Sequence, residues 1–115
     1  MSSSCLFCRI VAREQEAQIL HETETVLAFR DVRPQAPTHI LLIPKEHVRD
    51  LRDVEDEHGG MLADVVQAAA HLADTERIAE SGWRLVANVG PDAGQSVFHL
   101  HFHLLGGRPM AWPPG

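Results

Sequence analysis

Phe98-His99-Leu100-His101-Phe102-His103-Leu104-Leu105 alternates histidine with apolar residues, and that period of two predicts a half-buried β-strand over Val97–Leu105. On such a strand the three imidazoles share one face, spaced about 6 to 7 Å apart at about 3.3 Å rise per residue. Phe98, Leu100, Phe102 and Leu104 then point into a core. A face kept only for stability would carry Thr, Lys or Glu more readily than three histidines, so the row is read as a candidate active site.

Working outward, the remaining chain supplies an antiparallel α+β frame. Ala17–His21 and Thr25–Phe29 read as a hairpin about the polar turn Glu22-Thr23-Glu24, and His39–Ile43, closed by Pro44, as a third and well-buried strand. Met61, Leu62, Val65, Val66, Ala69 and Leu72 keep the 3.6-residue period of one long helix. Asp53 is its expected cap, Glu55, Asp56 and Glu57 lie in its first turn, and Ser81-Gly82 is its expected end. Trp83–Val89 is a fourth strand, Gly90–Gln95 a glycine-rich turn and Gly106–Gly115 a tail. Residues 1–4 read as a frayed end, and Cys5–Ala12 as a short helical turn with Leu6, Phe7 and Ile10 on one side. Five strands in successive hairpins with one main helix define an α+β fold on an antiparallel sheet.

The 115 residues make one domain, since a second core would not fit. Apolar residues at 44% and charged residues at 23% exclude a wholly disordered chain. A formal charge of −6 with a single lysine, Lys45, argues against a nucleic-acid partner. No stretch has the roughly 20 apolar residues of a membrane span, and the first residues lack a signal-peptide pattern, so a cytoplasmic location without membrane contact is expected. Cys5 and Cys8, the two cysteines, are spaced as a metal or redox pair.

His99-Leu-His101-Phe-His103-Leu-Leu resembles the histidine triad motif of the HIT superfamily. Cys-Leu-Phe-Cys-Arg-Ile (5–10), the segment Phe29–His39, Ile-Pro-Lys-Glu-His (43–47), Gly-Gln-Ser-Val (94–97) and the tail ending Trp-Pro-Pro-Gly are similar to its Hint-like branch. The resemblance covers nearly the whole chain, residues 1–115, as a single HIT domain. It implies a purine nucleoside 5′-phosphoramidate hydrolase that releases AMP through a nucleotidyl-histidine intermediate.

By that resemblance His101 is the nucleophile, His103 lies beside the α-phosphate, and His39 supports the row. Asn88 and the Gly94-Gln95-Ser96 turn give phosphate donors, Asp31 accepts from the ribose hydroxyls, and Leu6, Phe7, Ile10, Phe29 and Val32 form the base slot. Taken alone, that turn is an ordinary hairpin connection. Cys5, Cys8, His47 and His99 match a zinc-bearing variant of the branch, and two thiolates with two imidazoles make a closed, structural tetrahedral site. The resemblance further implies a homodimer across which the sheet extends, with the tail and Trp112 reaching the partner. His21, His58 and His71 receive no role.

Two other readings stand beside this one. A nucleotide-binding or scaffold dimer would bind AMP with little turnover, and a dinucleoside polyphosphate hydrolase would use the same row on a different bond. A row serving as a catalytic metal site is a third reading. Cys5 and Cys8 separate it, because a metal taken there with His47 and His99 leaves the catalytic face metal-free.

Overall fold

The computed structural model describes residues 4–115; the expectation for residues 1–3 lies outside them. In chain order the elements are α1 (Leu6–Val11), β1 (Ile19–Glu22), β2 (Val26–Arg30), β3 (Thr38–Pro44), α2 (Gly59–Thr75), β4 (Trp83–Val86) and β5 (Phe102–Gly106). The five strands form one antiparallel sheet in the order β1-β2-β3-β5-β4.

Both sheet faces are covered, and strand parity divides the residues between them. Val26 and Ala28 of β2, Ile40 and Leu42 of β3 and Leu104 of β5 pack against Val65, Ala68, Ala69 and Leu72 of α2. Leu27, Phe29, Leu41 and Ile43 face the other way, onto Phe7 and Ile10 of α1. This is why β3 is buried at all seven positions and reads as a continuous apolar run rather than an alternating one. His39 and His103 lie on the α1 face, since His39 pairs with Leu105 and Leu41 with His103.

The structure corrects several expectations. The histidine strand is shorter than Val97–Leu105: β5 begins at Phe102, so His99 and His101 lie on an irregular segment outside the ladder. Phe98 is 61% exposed and contributes nothing to the core, whereas Leu100 and Leu104 are buried. Alternation alone cannot tell a paired strand from an extended segment that has left the sheet. The strands are not all successive hairpins, because α2 carries the chain from β3 past β5 to the β4 edge. The fourth strand ends at Val86 rather than Val89.

Before α2 the chain makes two 3₁₀ turns, Leu51–Asp53 and Asp56–His58. Asp53 does not cap α2 but ends the first of these turns, which Asp50 caps by accepting from the Arg52 N–H at 2.9 Å; the residue at the α2 N-cap is His58. The acidic run Glu55–Glu57 flanks and fills the second, not the first turn of α2. There the His58 Nδ1 accepts from the Glu55 N–H at 2.9 Å while the Glu55 side chain accepts from the His58 N–H, a reciprocal box. Buried His58, given no role by the sequence, therefore holds the entry to α2. The helix ends at Thr75 rather than at Ser81-Gly82, with Arg77 in a left-handed conformation just beyond. In α1, Phe7 and Ile10 are buried but Leu6 is 38% exposed, so the three do not share one buried side.

Candidate active site and metal cluster

The α1 face of β3 and β5 meets α1 and the segment around His99. Phe7 packs edge-on against Phe29, His99 and His101, with ring centroids 5.5, 5.8 and 5.2 Å away. The His101 and His103 rings stand 5.1 Å apart. Alternation of side chains thus survives along the irregular segment, and the three triad histidines keep to one side.

Hydrogen bonds assign the state of each ring. The His101 Nδ1 donates to the His99 carbonyl oxygen at 2.7 Å, leaving Nε2 as the nitrogen with the lone pair. The Gln35 N–H donates to the His39 Nδ1 at 3.0 Å; a backbone amide can only donate, so neutral His39 carries its proton on Nε2. That proton is directed to the His103 Nδ1 at 2.9 Å, and neutral His103 therefore carries its own on Nε2. One ring offers a lone pair and its neighbour offers a donor.

Burial, assisted by the neighbouring His101 and His39, pushes the His103 pKa down to about 4 against a weaker opposing pull from Asp31. Burial likewise lowers the pKa of His39, which Asp31 partly offsets from 3.4 Å. Both rings are neutral at pH 7. Asp31, His39 and His103 also lie close enough together to suggest a metal site. However, the 2.9 Å between the His39 and His103 nitrogens is shorter than the about 3.3 Å expected between two nitrogens on a tetrahedral metal. It is a hydrogen bond, and the trio is a proton-ordering network.

The Gly90–Ser96 turn is closed from within. Gly90 and Gly94 adopt φ of 84° and 83°, where a side chain would be strained. The Gly94 and Gln95 N–H groups donate to the Pro91 and Gly90 carbonyls at 3.0 and 3.1 Å, so both amides are satisfied within the turn. Gln95 is buried, and its side chain braces the turn: Oε1 accepts from the Gly90 N–H at 3.0 Å and Nε2 donates to the Arg49 carbonyl at 3.1 Å. No pattern in the sequence marks Gln95 as a brace, because its partners are backbone atoms brought in by the fold.

The other expected site residues fall around this core. Asp31 follows the end of β2 beside His39, and its Oδ1 accepts from the Arg33 N–H at 2.8 Å. Phe7, Ile10 and Phe29 belong to one buried cluster, whereas Val32 is 91% exposed. Asn88 lies beyond the end of β4 on the way to the turn.

Cys5, Cys8, His47 and His99 converge with all four ligand atoms within 4.8 Å of one another. The Cys5 and Cys8 sulfurs lie 3.3 and 3.6 Å from the His99 Nδ1, and Cys8 lies 3.3 Å from the His47 Nδ1. Tetrahedral zinc, at about 2.3 Å from sulfur and about 2.0–2.1 Å from nitrogen, sets adjacent sulfur and nitrogen ligands about 3.5 Å apart, so the cluster fits that ion. The His99 Nε2 donates to the Pro44 carbonyl at 2.8 Å, which turns its Nδ1 lone pair toward the thiols. The cluster can hold a metal ion without using His101 or His103.

A five-stranded antiparallel sheet with one main helix, a histidine of open Nε2 beside a neutral donor histidine, and a separate Cys₂His₂ cluster define a histidine-triad protein. Residues 12–110 match the HIT domain, and the chain belongs to that family. It is similar to the purine nucleoside phosphoramidase of Escherichia coli, 44% identical over 110 residues, covering 96% of this chain and 92% of that protein. It is also similar to the 14 kDa zinc-binding protein of Zea mays, 46% identical over 98% of this chain and 89% of that one. The crystal structure of a HIT family hydrolase from Legionella pneumophila superposes with a TM-score of 0.95 at 51% identity, covering 97% of this chain and all of that one. No helix among the described residues is long and apolar enough to cross a membrane.

Proposed function

We propose that the protein is a hydrolase of purine nucleoside 5′-phosphoramidates that forms a nucleotidyl-His101 intermediate and releases AMP. The observation that carries this reading is the 2.7 Å bond from the His101 Nδ1 to the His99 carbonyl, which occupies Nδ1 and leaves Nε2 as the nitrogen to attack. In the first step Nε2 bonds to the α-phosphorus as the P–N bond breaks. The departing amine takes up a proton drawn from solvent, because neutral His103 has no surplus proton to give. The His103 Nε2–H instead donates a hydrogen bond to the phosphoryl oxygen or the leaving nitrogen, and the Ser96 hydroxyl adds a second donor as charge builds. Water then attacks the adduct: a P–O bond forms as the P–Nε2 bond breaks, one proton returns to solvent, and AMP leaves with His101 restored.

In this reading Asp31 accepts from the ribose hydroxyls, and Leu6, Phe7, Ile10, Phe29 and Val32 hold the base. The 44% identity to the Escherichia coli phosphoramidase supports this substrate class. Zinc in the Cys5-Cys8-His47-His99 cluster would be structural and would supply cross-linking between α1 and the segments carrying His47 and His99, in line with the relative from Zea mays. Trp112, 83% exposed in the single chain, supports a homodimer in which the partner covers the tail.

The test is AMP release from a model adenosine 5′-phosphoramidate by wild type and by His101→Ala, each first shown to fold and to bind AMP. Release is expected to fall by about 1,000-fold or more in the variant. Equal, near-background release from both would overturn the assignment in favour of a nucleotide-binding dimer.

A further inference from the structure

We propose that the Cys5-Cys8-His47-His99 cluster positions the nucleophilic ring: by clamping the His99 imidazole, it holds the His99 carbonyl where it accepts the His101 Nδ1 proton. The inference rests on the reading of His101 as nucleophile. Its starting point is that the His99 carbonyl lies outside the sheet, since β5 begins only at Phe102. A carbonyl on a ladder is placed by its neighbours in register; this one is placed by whatever holds residues 98–101.

Among the described residues, three anchors do so. The Leu100 N–H donates to the Val48 carbonyl at 2.6 Å, the His99 Nε2 donates to the Pro44 carbonyl at 2.8 Å, and the His99 Nδ1 faces the two thiols at 3.3 and 3.6 Å. His99 is thus one residue with two duties, its ring fully buried in the cluster and its carbonyl 2.7 Å from the nucleophile. A second path leads the same way. Cys5 and Cys8 bracket the start of α1, the Cys5 sulfur accepts from the Cys8 N–H at 3.3 Å, and Phe7 between them packs edge-on against His99 and His101. Holding both cysteines therefore holds the wall against which the His101 ring rests. The Val48 and Arg49 carbonyls lie on the loop after β3 that also brings His47 to the cluster, and the Gln95 amide ties that loop to the Ser96 turn. Ligand residues consequently reach the nucleophile from three chain segments, while the metal stays out of the chemistry.

The experiment compares zinc-loaded protein, protein stripped of metal by a chelator, and His47→Ala, which removes the exposed ligand without touching the core. Long-range ¹H–¹⁵N NMR reads the His101 tautomer without substrate. Zinc-loaded protein is expected to show Nδ1–H alone, the other two a mixture of Nδ1–H and Nε2–H that reverts in the stripped wild type when zinc is returned. In steady-state assays kcat should fall about 10-fold with KM little changed, the pattern of a displaced reacting group. Val65→Ala, in the core on the far face, supplies a comparable loss of Tm and should leave the tautomer unmixed. Should the stripped protein and His47→Ala both unfold, cadmium exchanged for zinc keeps the fold with a larger ion. The proposal then expects the His101 ring nitrogens to shift while those of His58 do not. An unchanged His101 tautomer in folded metal-free protein, or His101 nitrogens indifferent to cadmium, would overturn it. Full hydrolysis by His101→Ala would instead remove the functional reading and leave the tautomer result standing.

Discussion

His103 and His101 are two residues apart in one motif, yet the fold holds them by different means. His103 sits on β5 opposite Leu41, inside a ladder whose far side is sealed by α2, so its position follows from strand register. His101 sits before the ladder begins and depends on a carbonyl, an aromatic wall and a side-chain cluster. Regular structure gives His103 its place, and specific contacts place His101. The difference teaches that a periodic pattern can pass from paired strand to irregular segment without changing in sequence.

Substitutions can break this comparison. The largest loss of stability is expected from Leu104→Ala, which empties a fully buried position between β5 and α2 and should cost about 2–5 kcal/mol in chemical denaturation. Next, His39→Ala removes the donor that orders His103, and kcat is expected to drop by about 10- to 100-fold while AMP affinity, read by calorimetry, changes little. An unaltered kcat would detach His39 from the catalytic row.

The pH dependence of stability distinguishes the buried rings from the acidic cap. His103 is held at about 4 in the fold against 6.5 for the free side chain, so between those values the unfolded chain binds the additional proton. Stability should accordingly decline as pH falls from 6.5 toward 4, with His39 adding in the same direction. Asp50 acts in a lower window: hydrogen bonds and charge from Arg52 bring its pKa from 3.8 to about 2, so its contribution is present above 3.8 and disappears as pH falls toward 2. Thermal melts at closely spaced pH should show the upper decline weakened in His39→Ala and the lower one weakened in Arg52→Ala. The smallest effect belongs to Phe98→Ala, which the alternating pattern places in the core but which is 61% exposed; a change within about 0.5 kcal/mol is expected. A loss as large as that of Leu104→Ala would restore the uninterrupted strand.

Much of the fold was legible from local rules. β2 and β3 lie within one residue of their expected ends, since apolar runs bounded by Thr25, Pro37 and Pro44 leave little freedom. The long helix was visible in its period, but its true start was not, because the polar run after Leu51 forms 3₁₀ turns stabilised by Asp50, Glu55 and His58 in three dimensions. At the site, the chemistry-bearing residues were evident by type and by motif: Cys5 and Cys8, His47 and the three histidines of the triad. Their protonation states were not, since these depend on the Gln35 N–H and on the His99 and Pro44 carbonyls, and every residue possesses such groups.

The sequence by itself determined the family, the antiparallel α+β architecture and which side chains can act, because motif, periodicity and residue chemistry are local properties of the chain. Only the tertiary structure decided where the histidine segment leaves the sheet, which nitrogen of each ring bears the proton and how the Cys5-Cys8-His47-His99 cluster meets His101 through His99. Those outcomes rest on backbone donors and acceptors from distant segments, whose positions exist only once the sheet has assembled and packed.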